Sequence, residues 1–393
     1  MRSSGDLLDA VTTGDVPRRR RFFASLVFRA ACMIGTCAIA GVVLAGRPPL
    51  IVPTSPTTVL ERLPRGYAAL MPSTTAVPPL QQIQSLLRTA ARSGDARLAA
   101  RAEALLAQLP DGTSADVMKA RAFSAQHRHD FATALRLLDR VLARSPDDAE
   151  ARLSRAQIQL VQGRLDLARS DCGALTLGMQ ADAAALCLVA LTLRRGDLLQ
   201  AAGLADRLID EAVSDPDLLA YLLALRGEIA GRAGDAGMDR WFTKALAIAP
   251  DDVRTLAAYA RALHARGRDR DVLALLSSAP ATDGLALQRA LAAHAAGTPD
   301  ATILADAQGR RYALAHEVGT QPELRDEAEY LLTLRGDADG ALALAQRNFM
   351  NQRDYEDVDI LLRAATAASR TDVVASTKAW AASQGIRLRQ ARP

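Results

Sequence analysis

Histidine is the residue of this chain best suited to metal or proton-transfer chemistry, and it is scarce. The 393 residues include five histidines, and none is spaced to put two zinc ligands on one helix face. His264 and His294 fall at matching positions of a repeated pattern, so they could face one another across a groove, but two solvated side chains are the simpler interpretation. The sequence has no glycine-rich phosphate loop, G-x-S-x-G motif or acidic calcium loop. We therefore expect no enzyme activity, cofactor or metal site.

Two of the four cysteines, Cys172 and Cys187, lie in consecutive predicted helices. In an oxidising compartment they could form a disulfide that closes a loop of about 15 residues and contributes up to ~3 kcal/mol. The alternative is a pair of buried thiols that act as small apolar side chains. The residues leave both alternatives open. Cys32 and Cys37 lie in an apolar segment near the amino terminus and are expected to be packing residues.

A repeated plan of two short helices positions these side chains. Residues 115–148 show the plan most clearly, because small and apolar residues stand three and four apart in each half and form one stripe per helix. His129-Asp130 separates the two helices. Pro146 ends the second one, since proline cannot continue a helix. Such a pair has apolar side chains on two faces and must bury them against neighbouring pairs.

The residue in the turn between the two helices recurs along the chain at steps of 30 to 39 residues. The markers are Gly94, His129, Gly163, Gly196, Gly234, Gly267, Gly297 and Gly336. Aspartates at 147–148 and 251–252 follow the prolines that end two pairs and are predicted to cap the next helix. The repetition predicts a stack of similar units.

The pattern becomes irregular toward the carboxyl end. Trp241 and Phe242 supply bulk after Gly234, where other units have a small residue. Gly309, Gly319 and Pro322 interrupt the next part of the pattern, so we expect a hinge or a wider crossing angle there. The last pair, from about residue 355 to 380 with its turn at Ser369-Arg370, is expected to cap the stack with a polar outer face. The basic tail, residues 381–393, is expected to be loose from Gly385 onward.

The pattern resembles the tetratricopeptide repeat, a 34-residue helix pair. The places that the family fills with a small residue, Gly-Asp, Ala and Pro hold Ala122, His129-Asp130, Ala134 and Pro146 here. The resemblance implies an all-α solenoid of stacked antiparallel helix pairs, a superhelix of about eight to nine pairs over residues 80–380. The chain is also similar to exported or membrane-anchored bacterial proteins of this family.

In this family the concave face of the array, built by the first helix of each pair, binds partners. The matching positions hold Arg88, Arg92, Lys119, Phe123, Gln126, Glu150, Gln157, Arg194, Tyr221, Glu228, Arg232, Arg254, Arg261 and His264. Arginine predominates, so the resemblance implies a protein or peptide partner with an anionic or carboxylate-bearing segment. The alternative is an ordinary solvated helix face, because 45 of the 48 cations in the chain are arginine anyway. Phe123 replaces the asparagine of chaperone-binding relatives, so chaperone carboxyl termini are not expected as ligands.

The amino-terminal region predicts a membrane segment. Four arginines at 18–21 precede an apolar stretch at 22–46 that is long enough to cross a bilayer. We therefore expect residues 1–21 in the cytoplasm, residues 22–46 in the inner membrane as a single span and the remainder in the periplasm. A cleaved signal sequence is an alternative, because Ala38-Ile39-Ala40 and Val43-Leu44-Ala45 offer cleavage sites. Lipidation of a cysteine fits the sequence poorly.

The next segment, residues 47–79, holds eight of the seventeen prolines and is predicted to be a semi-rigid spacer. The formal net charge of +4 comes from the leader, because residues 1–47 contain seven arginines and three aspartates. The rest of the chain, residues 48–393, is therefore neutral overall, which removes the main argument for nucleic-acid binding.

The sequence thus predicts a non-enzymatic protein-protein interaction scaffold, tethered to or exported across a bacterial inner membrane. Two alternatives remain open. One is an assembly factor of an envelope or secretion complex, and the other is a cytoplasmic regulator built from the same repeats.

Overall fold

The structure, a computed structural model, describes residues 79–110, 114–211, 216–319 and 321–388. These residues form eighteen α-helices and no strand, which confirms the all-α prediction. The helices are α1 (Pro79–Ser93), α2 (Ala96–Gln108), α3 (Ala115–His127), α4 (Phe131–Arg144), α5 (Ala149–Val161), α6 (Leu165–Leu177), α7 (Ala181–Arg195), α8 (Leu198–Glu211), α9 (Pro216–Ala233), α10 (Met238–Ile248), α11 (Val253–His264), α12 (Asp269–Leu275), α13 (Asp283–Ala296), α14 (Ala301–Glu317), α15 (Leu324–Tyr330), α16 (Ala338–Phe349), α17 (Tyr355–Ala367) and α18 (Thr371–Ser383).

The predicted leader, membrane segment and spacer up to residue 78 lie outside the described residues. Among the helices that are described, none has the length and apolar character needed to cross a bilayer.

The helices form nine successive pairs, from pair 1 (α1 and α2) to pair 9 (α17 and α18). The two helices of each pair pack together, and the first helices of most successive pairs also touch. Buried apolar clusters each cover only a few consecutive pairs, for example pairs 3 to 5 and pairs 5 to 7. The core therefore runs along the array instead of forming one centre, as expected for a solenoid.

The turns inside the pairs lie where the repeat pattern predicts them. A residue with left-handed backbone ends the first helix of each pair, and glycine usually supplies it because it lacks a Cβ atom. His129 and Ser369 stand at this turn with φ of 58° and 57°. The repeat position, not glycine alone, therefore fixes the geometry of the turn.

Aspartates begin several helices as the sequence predicts. Asp148 Oδ1 accepts a hydrogen bond of 2.8 Å from Ala151 N at the start of α5, and Asp252 caps α11 through Thr255 N in the same way. The cap satisfies a backbone donor that the first turn leaves free.

In pair 5 a glycine on α9 leaves room for the bulky Phe242 of α10. Phe242 of α10 is fully buried, and a Cβ atom on Gly227 of α9 would lie 2.9 Å from its ring. The bulk that interrupts the repeat pattern in α10 therefore occupies space that α9 leaves open.

The irregular region takes a different form from the one predicted. Gly309 does not interrupt a helix, because α14 runs through it and the hydroxyl group of Tyr330 fills the space where a side chain would stand. The irregularity lies in pair 8, where α15 continues as a π-helix over Leu331–Arg335. A hinge at this place stays a prediction.

The array winds back on itself, so that the turns of pairs 1 to 4 meet the loops that precede pairs 5 to 9; we call this line of contact the seam. At its first end Arg92 Nη1 lies 3.3 Å from Asp217 Oδ1. A Cβ atom on Gly94 would lie 3.4 Å from Val253 Cγ2 and 3.8 Å from Thr282 Cβ. Pair 1 is therefore in contact with pairs 5, 6 and 7.

At its other end the seam holds the carboxyl-terminal residues. Trp380 packs against Gly163, and Arg387 N donates a hydrogen bond of 3.0 Å to Arg195 O. The expectation of a loose tail is therefore wrong for residues 385–388. The last pair ends the stack as predicted, but it is also in contact with pair 3, and the repeat pattern carries no information on contacts between distant pairs.

Candidate functional site

A cavity of about 430 Å³ lies between the first helices of pairs 5 to 9; we call it the lumen. Each of these five helices contributes charged or polar residues to its wall. The polar lining residues are Glu228, Arg232, Arg261, His264, Gln288, Arg325, Asp326, Glu329, Tyr355, Glu356, Asp359 and Arg363. First helices form the concave side of such an array, so the lumen is the enclosed part of the concave face.

Several lumen charges are neutralised by one another. Arg363 Nη1 and Nη2 donate to the two carboxylate oxygens of Glu329 at 2.6 and 2.9 Å, a bidentate pair. Arg325 lies 3.4 Å from Asp326 and 3.5 Å from Asp357. The ion pairs Arg363–Glu329 and Arg325–Asp357 connect helix pair 8 to helix pair 9 along one wall of the lumen.

Three other lumen groups have no ion pair within the described residues: Arg261, Glu228 and Glu356. Burial, with help from the neighbouring Glu356 carboxylate, raises the pKa of Glu228 to about 8. Burial by itself would raise the pKa of Glu356 as well, but Arg261 and Arg325 hold it below its usual range. At neutral pH the lumen therefore offers a protonated carboxyl group, a carboxylate and a guanidinium group to a ligand.

The lumen arginine of α9 contacts an aromatic ring. The guanidinium of Arg232 lies 4.1 Å from the ring centre of Tyr355, a cation-π contact across pairs 5 and 9. Arg194 also reaches the carboxyl-terminal part of the chain through an ion pair with Asp354. Burial lowers the pKa of Arg194 to about 10. The lumen wall and the seam are therefore continuous.

The structure brings four of the predicted groove residues to the lumen: Glu228, Arg232, Arg261 and His264. Tyr221 lies near this group, and burial raises its pKa above the usual range, with Glu228 adding to the effect.

The remaining predicted groove residues do not line the lumen. Arg92 belongs to the seam, and Arg254 Nε lies 3.2 Å from Asp252 Oδ1. Arg88 is half-buried in α1. These three arginines are therefore spread over pairs 1 and 6.

In pairs 2 and 3 the predicted groove residues are mostly buried. Lys119 Nζ lies 2.9 Å from Glu150 and 3.0 Å from Asp148. Burial alone would lower the pKa of Lys119, but these two carboxylates raise it above its ordinary value. Gln126 and Gln157 are 6% and 4% exposed. The concave face of these two pairs is therefore closed.

Phe123, the residue in place of the family's asparagine, packs with the buried apolar residues of pairs 1 and 2. Its ring also stacks on His127 with the ring centres 6.5 Å apart. Phe123 therefore acts as a core residue in this fold.

The structure joins Cys172 of α6 and Cys187 of α7 in a disulfide, with the Cα atoms 5.4 Å apart. The bond connects pair 3 to pair 4, within the apolar cluster of pairs 3 to 5. His264 and His294 are not brought together, because His264 pairs with Asp269 at the lumen and His294 is exposed. Across the described ranges, no three histidine, cysteine or acidic side chains are grouped to hold a metal ion.

The sequence reasoning missed the lumen residues of pairs 8 and 9. Tyr355, Asp359 and Arg363 recur every four residues on α17, a spacing that places them on one helix face. That spacing is a usable signal, but the repeat register was lost after Gly297, so no groove positions were assigned there.

The sequence profile of the tetratricopeptide repeat family matches residues 125–191. Over 157 residues, 39% of this chain, the sequence is 31% identical to cellulose synthase operon protein C of Escherichia coli (strain K12). The match spans 13% of the length of that relative.

Two solved structures are also similar. The crystal structure of the P58(IPK) TPR domain is 16% identical, with 74% of this chain and 99% of that chain covered and a TM-score of 0.23. Yeast Tom70 is 14% identical, with 78% and 83% covered and a TM-score of 0.25. Scores this low transfer no structural or functional feature. The sequence match over residues 125–191 and the helix pairs that repeat the same plan on both sides of it support a tetratricopeptide-repeat array.

Proposed function

We propose that this chain is a non-enzymatic scaffold that binds a polypeptide segment of a partner protein in the lumen. The observation that supports the proposal is the set of groups without an ion pair on the lumen wall, Arg261, Glu228 and Glu356, within the described residues. Buried charges are costly unless they are paired, so a ligand that pairs them is stabilised. An acidic side chain or terminal carboxylate of the partner fits Arg261, and a basic side chain fits Glu356.

The size of the lumen limits what it accepts. A volume of about 430 Å³ lies within the usual range of ~300–1,000 Å³ for ligand pockets. A folded domain does not fit such a space. The partner therefore contributes a short extended segment that carries charges of both signs.

We propose further that the repeat array is exported or tethered outside a bacterial inner membrane. The arginine cluster at 18–21, the apolar stretch at 22–46 and the disulfide between Cys172 and Cys187 support this location. The second candidate function is an assembly factor of a larger complex. The similarity to a protein named for the cellulose synthase operon favours a complex that makes a polysaccharide.

The lumen proposal is tested by photo-crosslinking in the producing cell. A crosslinking amino acid at position 288, in the lumen wall, is expected to capture one discrete polypeptide. The same amino acid at Ile303, which is 66% exposed, is expected to capture none of it. Arg261→Glu is expected to abolish the adduct, and Arg289→Glu, an exposed arginine of α13, is the matched control.

Equal adducts from both positions, or an adduct that survives Arg261→Glu, would contradict binding in the lumen. Circular dichroism of each variant shows whether the helices are intact.

The location is tested separately. Alkaline phosphatase fused to the carboxyl terminus is expected to be active, and Cys172 and Cys187 are expected to resist a thiol reagent until reductant is added. An inactive fusion together with free thiols rejects export and favours the cytoplasmic alternative.

A further inference from the structure

We propose that the seam opens to admit the extended segment of the partner, so that the closed array is the form without partner. The proposal rests on the lumen as the binding site. The moving part is the unit formed by pairs 8 and 9 with the tail to residue 388, and the partner occupies the space that this unit leaves.

The first argument is the chemistry of the seam. Along the array, neighbouring pairs are joined by fully buried apolar residues such as Leu175, Leu222 and Ile229. Across the seam the contacts of pairs 8 and 9 are mostly polar, with Trp380 and Ile386 as the apolar exceptions. Polar contacts are replaced by water at small net cost, whereas apolar contacts are not. The seam is therefore the part of the fold that opens with least loss of free energy.

The second argument is the kind of hydrogen bond that the seam uses. Asn351 Nδ2 donates to His129 O at 3.1 Å and Arg353 N donates to Val161 O at 2.7 Å. Arg387 N donates to Arg195 O at 3.0 Å. The three acceptors lie at the ends of first helices in pairs 2, 3 and 4. Carbonyl groups at helix ends lack partners within the helix, so water satisfies them once the seam is open.

The third argument is a place to bend. Pairs 8 and 9 share one apolar cluster, and the cluster that joins pair 7 to pair 8 is small, with Leu287, Leu291, Tyr312 and Tyr330 as its buried members. The π-helix Leu331–Arg335 follows directly. π-helical turns are often found at functional sites. The unit of pairs 8 and 9 thus has a larger apolar cluster within itself than at its junction, where the ion pairs His316–Glu327 and Arg335–Asp306 supply polar contacts.

The fourth argument is the way the lumen is divided. Glu228 and Arg261 belong to pairs 5 and 6, whereas Glu356 belongs to pair 9. Opening at the junction of pairs 7 and 8 separates these groups and widens the lumen along its length. The charges that recognise the segment then lie on both sides of it, and the segment pairs with them in the open array.

Two engineered disulfides test the proposal in full-length protein that carries Cys32→Ser and Cys37→Ser. The first disulfide, which we call the lock, is formed by Gly196→Cys and Arg387→Cys and holds the seam closed. A Cβ atom on Gly196 would lie 3.1 Å from Arg387 Cβ, a few tenths of an ångström below the usual Cβ–Cβ distance of ~3.5–4.5 Å in disulfides. The control is Gly94→Cys with Thr282→Cys, at 3.8 Å. It staples the seam between pairs 1 and 7, outside the moving unit.

Hydrogen exchange of the Arg353 amide reports opening without any ligand. In the unlocked protein this amide is expected to exchange at least ~10-fold faster than buried amides of pairs 3 to 5, because it requires only local opening. Oxidation of the lock is expected to slow exchange of the Arg353 amide to the rate of the buried amides. Oxidation of the control is expected to leave it unchanged. Equal exchange of Arg353 and the core amides in the unlocked protein would overturn the proposal.

Two glycine substitutions provide an alternative test if the cysteines of the lock do not form a disulfide. Gly163→Ala pushes a Cβ atom against Trp380, whereas Gly267→Ala has the same left-handed backbone, with φ of 70° against 69°, and no atom within 4 Å. Only Gly163→Ala is expected to speed the exchange of Arg353 further. Equal effects of the two substitutions would contradict the role of the seam.

Photo-crosslinking from position 288 separates this inference from the proposed function. Loss of the adduct on oxidation of the lock, but not of the control, supports both. An adduct that forms equally in the locked protein contradicts the seam while leaving the lumen site intact. Seam opening in the exchange experiment with no adduct in any variant contradicts the lumen site and leaves the motion standing.

Discussion

The interfaces between neighbouring pairs and the seam differ in what holds them. A neighbour interface is made of closely packed apolar side chains, as where Phe242 of pair 5 stacks on Tyr259 of pair 6 with the ring centres 4.8 Å apart. The seam joins residues at least 125 positions apart in the chain, such as Arg92 and Asp217 or His129 and Asn351, through backbone carbonyls, amides and ion pairs. The first kind of contact fixes the shape of the stack. The second kind decides whether the concave face is open or closed.

This difference indicates a division of labour between stability and access. In a repeat protein the free energy of folding comes from each unit and its nearest neighbours. A contact between distant pairs adds to the free energy of folding only when the array curves enough to bring its two ends into contact. Because it is polar, the seam can be lost without unfolding any pair, and the predictions below separate the two kinds of contact.

The largest expected effect comes from a neighbour interface. Phe242→Ala removes a fully buried ring and is expected to lower the free energy of unfolding by ~3–5 kcal/mol. Asn351→Ala removes one hydrogen bond of the seam and is expected to lower it by ~0.5–1.5 kcal/mol. Urea denaturation followed by circular dichroism measures both values.

Ile303→Ala is the control, because this side chain is 66% exposed. It is expected to change the free energy of unfolding little. If Asn351→Ala were as damaging as Phe242→Ala, the seam would be a structural interface and not an opening.

The neighbour interfaces were predictable from the sequence because their information is local and repeated. The turn at His129 was assigned from its place in the period, and its left-handed backbone agrees. The capping role of Asp148 and Asp252 followed from the prolines before them. A short pattern of residue sizes is enough to specify how one helix meets the next.

The seam was not predictable in the same way. Nothing near Val161 or Arg353 marks the hydrogen bond between them, because the curvature that brings them together is the sum of small rotations over many pairs. The same limit applies to the site. Glu228 and Arg261 were found by position within a repeat, whereas Glu356 and Arg363 were missed because the repeat pattern becomes irregular after Gly297.

A smaller effect, with a pH dependence, is expected in the lumen. The pKa of Glu228 is raised by burial from its ordinary value of 4.5 to about 8 in the folded chain. A raised pKa contributes stability that is complete below about 4.5 and is lost as the pH rises through about 8. The melting temperature is therefore expected to fall between pH 6 and pH 9. The charged groups around Glu228 are Glu356, Arg261, Arg194 and Arg232.

Glu228→Gln is expected to flatten this pH dependence, because the amide keeps the neutral form at every pH. Glu211→Gln, at an exposed glutamate of α8, is the matched control. If the melting temperature of Glu228→Gln still falls between pH 6 and pH 9, another titratable group is responsible for the pH dependence. Opening of the seam hydrates the lumen, so Gly163→Ala is expected to flatten the slope in the same direction as Glu228→Gln.

The smallest expected effect is that of Gly203→Ala, and it serves as the reference for a substitution that tests the packing inside pair 5. Gly203 lies within α8, and a Cβ atom there meets nothing within 4 Å, so Gly203→Ala is expected to raise the free energy of unfolding by ~0.5–1 kcal/mol through reduced chain entropy. Gly227→Ala gains the same entropy but presses 2.9 Å from the ring of Phe242. It is expected to be destabilising by ~1–3 kcal/mol. Urea denaturation of the two variants gives the sign of each change, and a stabilising Gly227→Ala would show that pair 5 has room that the structure does not contain.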